Sequence, residues 1–151
     1  MNGTVFVAIA GVQVDGHTFI DASIEKGALV IVCQILPSTI KENITYIVVN
    51  NTSEAVAIMA HQFYGNPSEK VKLVGVTGTN GKTTTTTLLH QLFINLGYNA
   101  GLIGTVVNKI NNHVFETERT TPDPITLNKI LSDMVEACCE YCFMEVSSHA
   151  V

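Results

Sequence analysis

The chain has 151 residues, 46% of them hydrophobic and 14% charged, enough apolar material for the core of one or two domains. A formal charge of −5, with only eight Lys and Arg, excludes the broad basic face that nucleic acids require. No apolar run approaches the roughly 18 residues that cross a bilayer. The start, Met1-Asn2-Gly3-Thr4-Val5-Phe6, has no basic stretch ahead of an apolar one, so a cytoplasmic protein without a secretory signal or membrane insertion is expected.

Residues 4–9 and 28–33 are short runs rich in Val and Ile, the composition of strands buried in a parallel sheet. Between them, residues 18–26 predict a helix carrying Phe19 and Ala22 on one face, with Gly27 as its stop. Residues 46–49 predict a third strand. Asn51-Thr52-Ser53 offers caps for a helix ending near Tyr64, with Ala55, Ile58, Met59 and Gln62 at helical spacing. Gly65-Asn66-Pro67-Ser68 breaks that pattern and reads as a linker between two α/β units, residues 1–66 and 71–151.

The second unit opens with a predicted strand at residues 71–76, then a glycine-rich loop. A helix over residues 82–96 follows, with Leu88, Leu89, Leu92, Phe93 and Leu96 as its buried stripe. Residues 100–107 read as a strand and 108–121 as a hairpin or loop. Pro122 and Pro124 lead into a helix over residues 125–138, and residues 141–146 are the last strand. This order implies an α/β fold with a parallel sheet and helices on its faces. The chain stops where a nucleotide-binding sheet ordinarily continues, so a longer protein is expected.

Cys139-x-x-Cys142 has a spacing used for metal or redox chemistry, but it lacks a second ligand pair and Cys142 sits in an apolar run. All four cysteines, Cys33 and Cys138 included, are expected to be reduced and buried. His17, His61, His90 and His113 are scattered and unpaired, and are expected to be surface or partly buried residues.

The chemistry concentrates in Gly78-Thr79-Asn80-Gly81-Lys82-Thr83-Thr84. Gly78 and Gly81 let successive N–H groups turn inward around phosphate oxygens. The helix opening at Lys82 aims its positive end at the same anion. Lys82 supplies a mobile cation for the β and γ phosphates, and Thr83 a hydroxyl for Mg²⁺. The strict pattern G-x-x-x-x-G-K-[ST] needs glycine where this chain has Val76, yet the loop follows a strand and opens a helix, the context such a motif requires. Glu145, at the end of a predicted strand, falls on the carboxyl edge where α/β sheets bind ligands, and its carboxylate suits a hard cation. Ser147, Ser148 and His149 read equally well as an ordinary turn and helix cap.

The whole segment 78–84 resembles the ATP-binding signature of the Mur ligase family, which adds amino acids to UDP-N-acetylmuramoyl precursors of peptidoglycan. Three further segments are similar to the members that add a diamino acid to UDP-N-acetylmuramoyl-L-alanyl-D-glutamate. The run Val5-Phe6-Val7-Ala8-Ile9-Ala10-Gly11-Val12-Gln13-Val14-Asp15-Gly16-His17 is similar to their amino-terminal, uridine-holding domain, and the resemblance implies that Val12, Gln13 and Val14 line the nucleotide pocket. Arg119-Thr120-Thr121-Pro122 is similar to a substrate loop, where Thr120 and Thr121 are implied to bond the sugar-peptide portion. Met144-Glu145-Val146-Ser147-Ser148-His149-Ala150 resembles a signature in which Glu145 ligates Mg²⁺ and Ser147 contacts substrate.

The resemblance implies an ATP-dependent amide-forming ligase with ATP and Mg²⁺ as cofactors, working through an acyl phosphate. The added amino acid is expected to be meso-2,6-diaminopimelate, with L-lysine the alternative, because the selecting carboxy-terminal region is expected beyond residue 151. The family's carbamylated lysine and second-metal histidine are expected there too, so these residues alone are expected to bind nucleotide without catalysing. The rivals are a ligase adding D-alanyl-D-alanine, a folylpolyglutamate synthase, a nucleotide-dependent switch and a non-catalytic nucleotide-binding module. The segments around Thr120 and Glu145 argue against the first two, and the absence of an Asn-Lys-x-Asp guanine reader argues against a GTP switch.

Overall fold

The structure, a computed structural model, describes residues 3–11, 14–116 and 122–147. The chain divides into two compact units, Met1–Met59 and Ala60–Val151.

In the first unit, β1 (Thr4–Val7), β2 (Ala28–Cys33) and β3 (Thr45–Val48) form a parallel sheet in that order. Phe6, Ile31 and Tyr46 stand in register across it, so one face collects apolar side chains from all three strands. That face meets α1 (Ile20–Glu25) in a core of Ala8, Ile20, Ala28, Ile31 and Cys33. The helix predicted at residues 18–26 starts instead as a 3-10 turn, Gly16–Phe19, capped by Asp15, whose carboxylate accepts the His17 N–H at 2.9 Å. The next helix, α2 (Thr52–Phe63), is capped by Asn51 as expected, with bonds from Ser53 N at 3.0 Å and Glu54 N at 3.2 Å. Its inward positions, however, are Thr52 and Ala60, while Ile58 and Met59 are exposed.

The second unit carries a five-stranded sheet in the order β4-β8-β5-β6-β7, made of β4 (Lys72–Val76), β5 (Ala100–Ile103), β6 (Val107–Ile110), β7 (His113–Glu116) and β8 (Tyr141–Glu145). β4, β8 and β5 are parallel, whereas β6 and β7 continue antiparallel. The single strand expected over residues 100–107 is therefore two, interrupted at Gly104.

Two helices pack on this sheet, α3 (Lys82–Asn95) and α4 (Pro124–Glu136). The expected stripe of α3 holds only in part: Leu89 and Phe93 face the core, and Leu88, Leu92 and Leu96 do not. Leu88, Leu92 and Leu96 are exposed, while Thr86 and His90 are buried and Leu89 and Phe93 pack on Ala100, Leu102 and Phe143. Both sets recur at helical spacing, so periodicity alone cannot choose between them. Thr86 is tolerated inside because its hydroxyl donates to the carbonyls of Lys82 and Thr83 at 3.0 and 3.2 Å.

α4 covers a core of Val71, Ile103, Leu131, Met134, Cys139 and Cys142. Met134 fills the space a side chain at Gly101 would take, since a Cβ there would fall within its thioether. Cys33, Cys139 and Cys142 are buried thiols, and burial pushes all three up from their ordinary values. Cys138 departs from expectation. It is exposed and takes a left-handed backbone, φ +58°, as the chain leaves α4. Of the histidines only His90 departs by being buried; His17 and His61 are half-buried as expected, though His61 bonds Ser68 Oγ at 2.9 Å and His17 is tied on both sides of its ring.

Candidate functional site

β4 delivers the chain into the loop at residues 77–81, and two glycines make the turn. Gly78 takes φ +144° and Gly81 φ +83°, the latter serving as the cap from which α3 starts. No side chain caps that end, which leaves the first N–H groups of α3 and its positive dipole end directed at the loop. Lys82 folds back, its Nζ donating to the Gly78 carbonyl at 2.6 Å.

β8 supplies the carboxylate. Val76 and Glu145 are partners in the β4–β8 register, so the last residue of β8 lies beside the start of the loop. Glu145 is 1% exposed and accepts three hydrogen bonds. Thr83 Oγ1 donates to its Oε2 at 2.9 Å, Thr105 Oγ1 donates to Oε2 at 3.0 Å, and Thr105 N donates to Oε1 at 3.1 Å. A buried carboxylate needs such donors to offset desolvation. Thr79, Asn80, Gly81, Lys82, Thr83, Thr84, Thr105 and Glu145 line one cavity of about 300 Å³.

Thr105 and Gly104 are the residues that sequence reasoning missed. Gly104, the first residue past β5, has no room for a side chain, since a Cβ there would sit 2.9 Å from Glu145 Oε1 and 3.0 Å from the Val107 carbonyl. The chain then turns so that Thr105 presents both its donors to the carboxylate. A Gly-Thr pair inside an otherwise apolar strand run was the available signal.

Glu145 and Thr83 place a carboxylate and a hydroxyl oxygen side by side at the cavity wall. That donor set fits a small hard cation such as Mg²⁺, which binds a few protein oxygens and keeps the rest of its shell for water and phosphate. Ser147 is half-buried two residues beyond Glu145, and Val14, in the first unit, is exposed. Val12, Gln13, Thr120 and Thr121 lie outside the described residues. A larger hollow of about 420 Å³ lies between α3 and the β6–β7 turn, lined by His90, Lys109, Asn111 and neighbours. It has neither the glycine turn nor a carboxylate.

Comparison with known proteins bears on both units. The chain is 56% identical over 149 residues to the UDP-N-acetylmuramoyl-L-alanyl-D-glutamate--2,6-diaminopimelate ligase of Phocaeicola vulgatus, a match covering 99% of this chain and 31% of that protein. A solved structure of a ligase of the same name superposes with a TM-score of 0.75 at 25% identity, over 98% of this chain and 30% of that one. The MurF ligase from Thermotoga maritima in complex with ADP gives a TM-score of 0.59 at 26% identity, over 97% of this chain and 30% of that one. The chain thus spans about 31% of the length of the curated relatives it matches. Residues 1–64 match the Mur ligase family catalytic domain and residues 76–151 the Mur ligase middle domain. Only the short stretch between these two matches stands outside them, and the chain belongs to the Mur ligase family.

Proposed function

We propose that this chain is the nucleotide-handling part of a cytoplasmic, ATP-dependent ligase that joins a diamino acid to UDP-N-acetylmuramoyl-L-alanyl-D-glutamate in peptidoglycan synthesis, and so serves cell-wall growth, cell shape and division. Residues 1–66 hold the uridine end of the substrate, with Val12, Gln13 and Val14 at the pocket. Residues 71–151 bind ATP, with Thr120, Thr121 and Ser147 toward the sugar-peptide portion. The observation that carries the reading is the meeting of Thr83 with the buried Glu145 at 2.9 Å, on the wall of a glycine-turn cavity. Its support comes from the likeness to the Phocaeicola vulgatus diaminopimelate ligase and from the ADP in the Thermotoga maritima structure. The relative's name favours 2,6-diaminopimelate over L-lysine as the added amine.

In this reading the N–H groups of residues 78–82 cradle the phosphates, and Thr79, Asn80 and Thr84 complete the lining. Lys82 leaves the Gly78 carbonyl to offset charge that spreads over the transferring phosphoryl group. Glu145 and Thr83 would hold Mg²⁺, which when bound neutralises phosphate charge. The γ-phosphoryl passes to a substrate carboxylate and ADP leaves. The amine then attacks the acyl carbon of the resulting acyl phosphate, the acyl C–O bond to phosphate breaks, and amide, inorganic phosphate and a proton are released.

Calorimetry with Mg²⁺–ATP and with UDP-N-acetylmuramoyl-L-alanyl-D-glutamate tests this on the full-length protein. Both ligands should bind, and Lys82→Ala should weaken Mg²⁺–ATP at least tenfold while leaving the nucleotide-peptide within about twofold, since loss of one charge-assisted contact costs about 1.5–3 kcal/mol. Absence of nucleotide-peptide binding would sink the substrate assignment. Residues 1–151 alone should yield no amide product, and detecting one would overturn that part of the reading.

A further inference from the structure

The first unit holds a polar network at the carboxyl edge of its sheet, centred on His17. The loop after β1 closes on itself before reaching this residue. Gly11 N donates to the Val14 carbonyl at 3.1 Å, Ala10 and Asp15 form an antiparallel bridge, and Gly16 N donates to the Ile9 carbonyl at 2.8 Å. Gly16 is pressed against that backbone, since a Cβ there would lie 2.6 Å from the Ile9 carbonyl oxygen. The described residues on either side, 9–11 and 14–16, are thus tied to each other by backbone bonds, and the 15–17 segment is their footing.

His17 fastens that footing to the next strand. The N–H of Gln34, the first residue after β2, donates to His17 Nε2 at 2.9 Å, and the Ile35 N–H reaches the same atom at 3.4 Å. An atom that receives N–H donors must offer a lone pair, so Nε2 carries no proton and the neutral ring carries it on Nδ1. Nδ1 in turn donates to Asp15 Oδ1 at 2.7 Å. The same Asp15 oxygen accepts the His17 backbone N–H, so ring and backbone are gripped by one carboxylate.

The network continues past Gln34. Its side-chain amide donates to the Asn50 carbonyl at 3.2 Å, and its Oε1 accepts from Thr52 Oγ1 at 3.1 Å. Thr52 is fully buried at the start of α2. One chain of bonds therefore links the segments that follow β1, β2 and β3, at the edge where parallel sheets bind ligands. Val14, Ile35 and Leu36 are exposed beside this chain of bonds, 55%, 74% and 48% accessible. Apolar side chains flanking fixed polar groups suit a flat ring with polar edges, as in a nucleobase.

We propose that His17 is a positioning residue for the nucleotide end of the substrate: its Nδ1-protonated ring locks the Val14 turn onto the backbone of Gln34 and Ile35, and Gln34 carries that register to Thr52 and α2. The proposal rests on the uridine assignment made above for residues 1–66. His17 itself need not touch the ligand. Its work is to hold Val14 and the 15–17 segment in register with Gln34, which lowers the ordering cost of binding.

The test uses the full-length protein, with affinities for the nucleotide-peptide and for Mg²⁺–ATP measured separately. His17→Phe keeps a ring but loses both polar atoms. It should weaken nucleotide-peptide binding about tenfold, the factor that about 1.4 kcal/mol represents, and leave Mg²⁺–ATP within about twofold. His17→Gln keeps an acceptor for the Gln34 N–H and should recover most of the loss. Nitrogen-15 spectra of the wild-type imidazole should show His17 with Nδ1 protonated and Nε2 bare. Unchanged nucleotide-peptide affinity in His17→Phe, an equal loss of both ligands, or an Nε2-protonated ring would each overturn the proposal while leaving the uridine assignment standing. A wild-type protein that binds no nucleotide-peptide would overturn both.

Discussion

Gly104 owes its lack of a side chain to its neighbours: the carboxylate of Glu145 on one side and the Val107 carbonyl on the other. Neither can yield easily. The carboxylate is pinned by Thr83 and Thr105, and the carbonyl belongs to the backbone of β6. Gly104→Ala should therefore cost about 1–3 kcal/mol of stability, the range for forced overpacking. It should also weaken Mg²⁺-dependent ATP binding, because the atom displaced is Oε1 of the proposed cation ligand. Denaturant melts and calorimetry read the two effects separately; a variant as stable as wild type would show that the seat is looser than its geometry.

Elements differ in how far their sequence announces them. The parallel strands β1, β2 and β8 were legible because runs of Val, Ile and Phe have few other uses, and the glycine turn between β4 and α3 because Gly-x-x-Gly-Lys-Thr has few other settings. The face of α3 was legible only in part, through Leu89 and Phe93, since apolar residues occur on two of its sides and only the sheet decides which is covered. The split between β5 and β6 was hidden for a related reason: it answers to Glu145, some forty positions away in sequence. The start of α4 shows a local signal that the proline spacing overshadowed. Asp123 accepts from Ile125 N at 3.0 Å, Thr126 N at 3.2 Å and Thr126 Oγ1 at 2.6 Å, and these bonds, the hydroxyl's first, hold its carboxyl below the usual carboxylate range. Asp123→Ala should cost about 1 kcal/mol by leaving those helix donors uncapped, and a chemical-denaturation midpoint shift measures it.

At the scale of the whole molecule, the buried His90 should add its own contribution to acid sensitivity. His90 is 3% exposed, Nε2 faces the Ala100 carbonyl at 3.2 Å, and Nδ1 finds no partner among the described residues. Burial, and secondarily the charge of Lys109, lowers its pKa from the ordinary 6.5. Above pH 6.5 both folded and unfolded chains hold it neutral and its full contribution to stability is present. As pH falls below that value the unfolded chain takes up the proton first, so stability drains away until the folded value is passed. Stability measured against pH should lose this component in His90→Gln; an unchanged slope would mean that other groups govern it. Elsewhere in the same unit, Met134 occupies the room left by Gly101, so two positions on different elements share a single volume. Neither can change freely by itself, yet a smaller residue at 134 makes a larger one at 101 admissible. A library randomising both should return matched small-and-large pairs among its folded members, and natural lineages that drift at one site should carry the reciprocal change at the other.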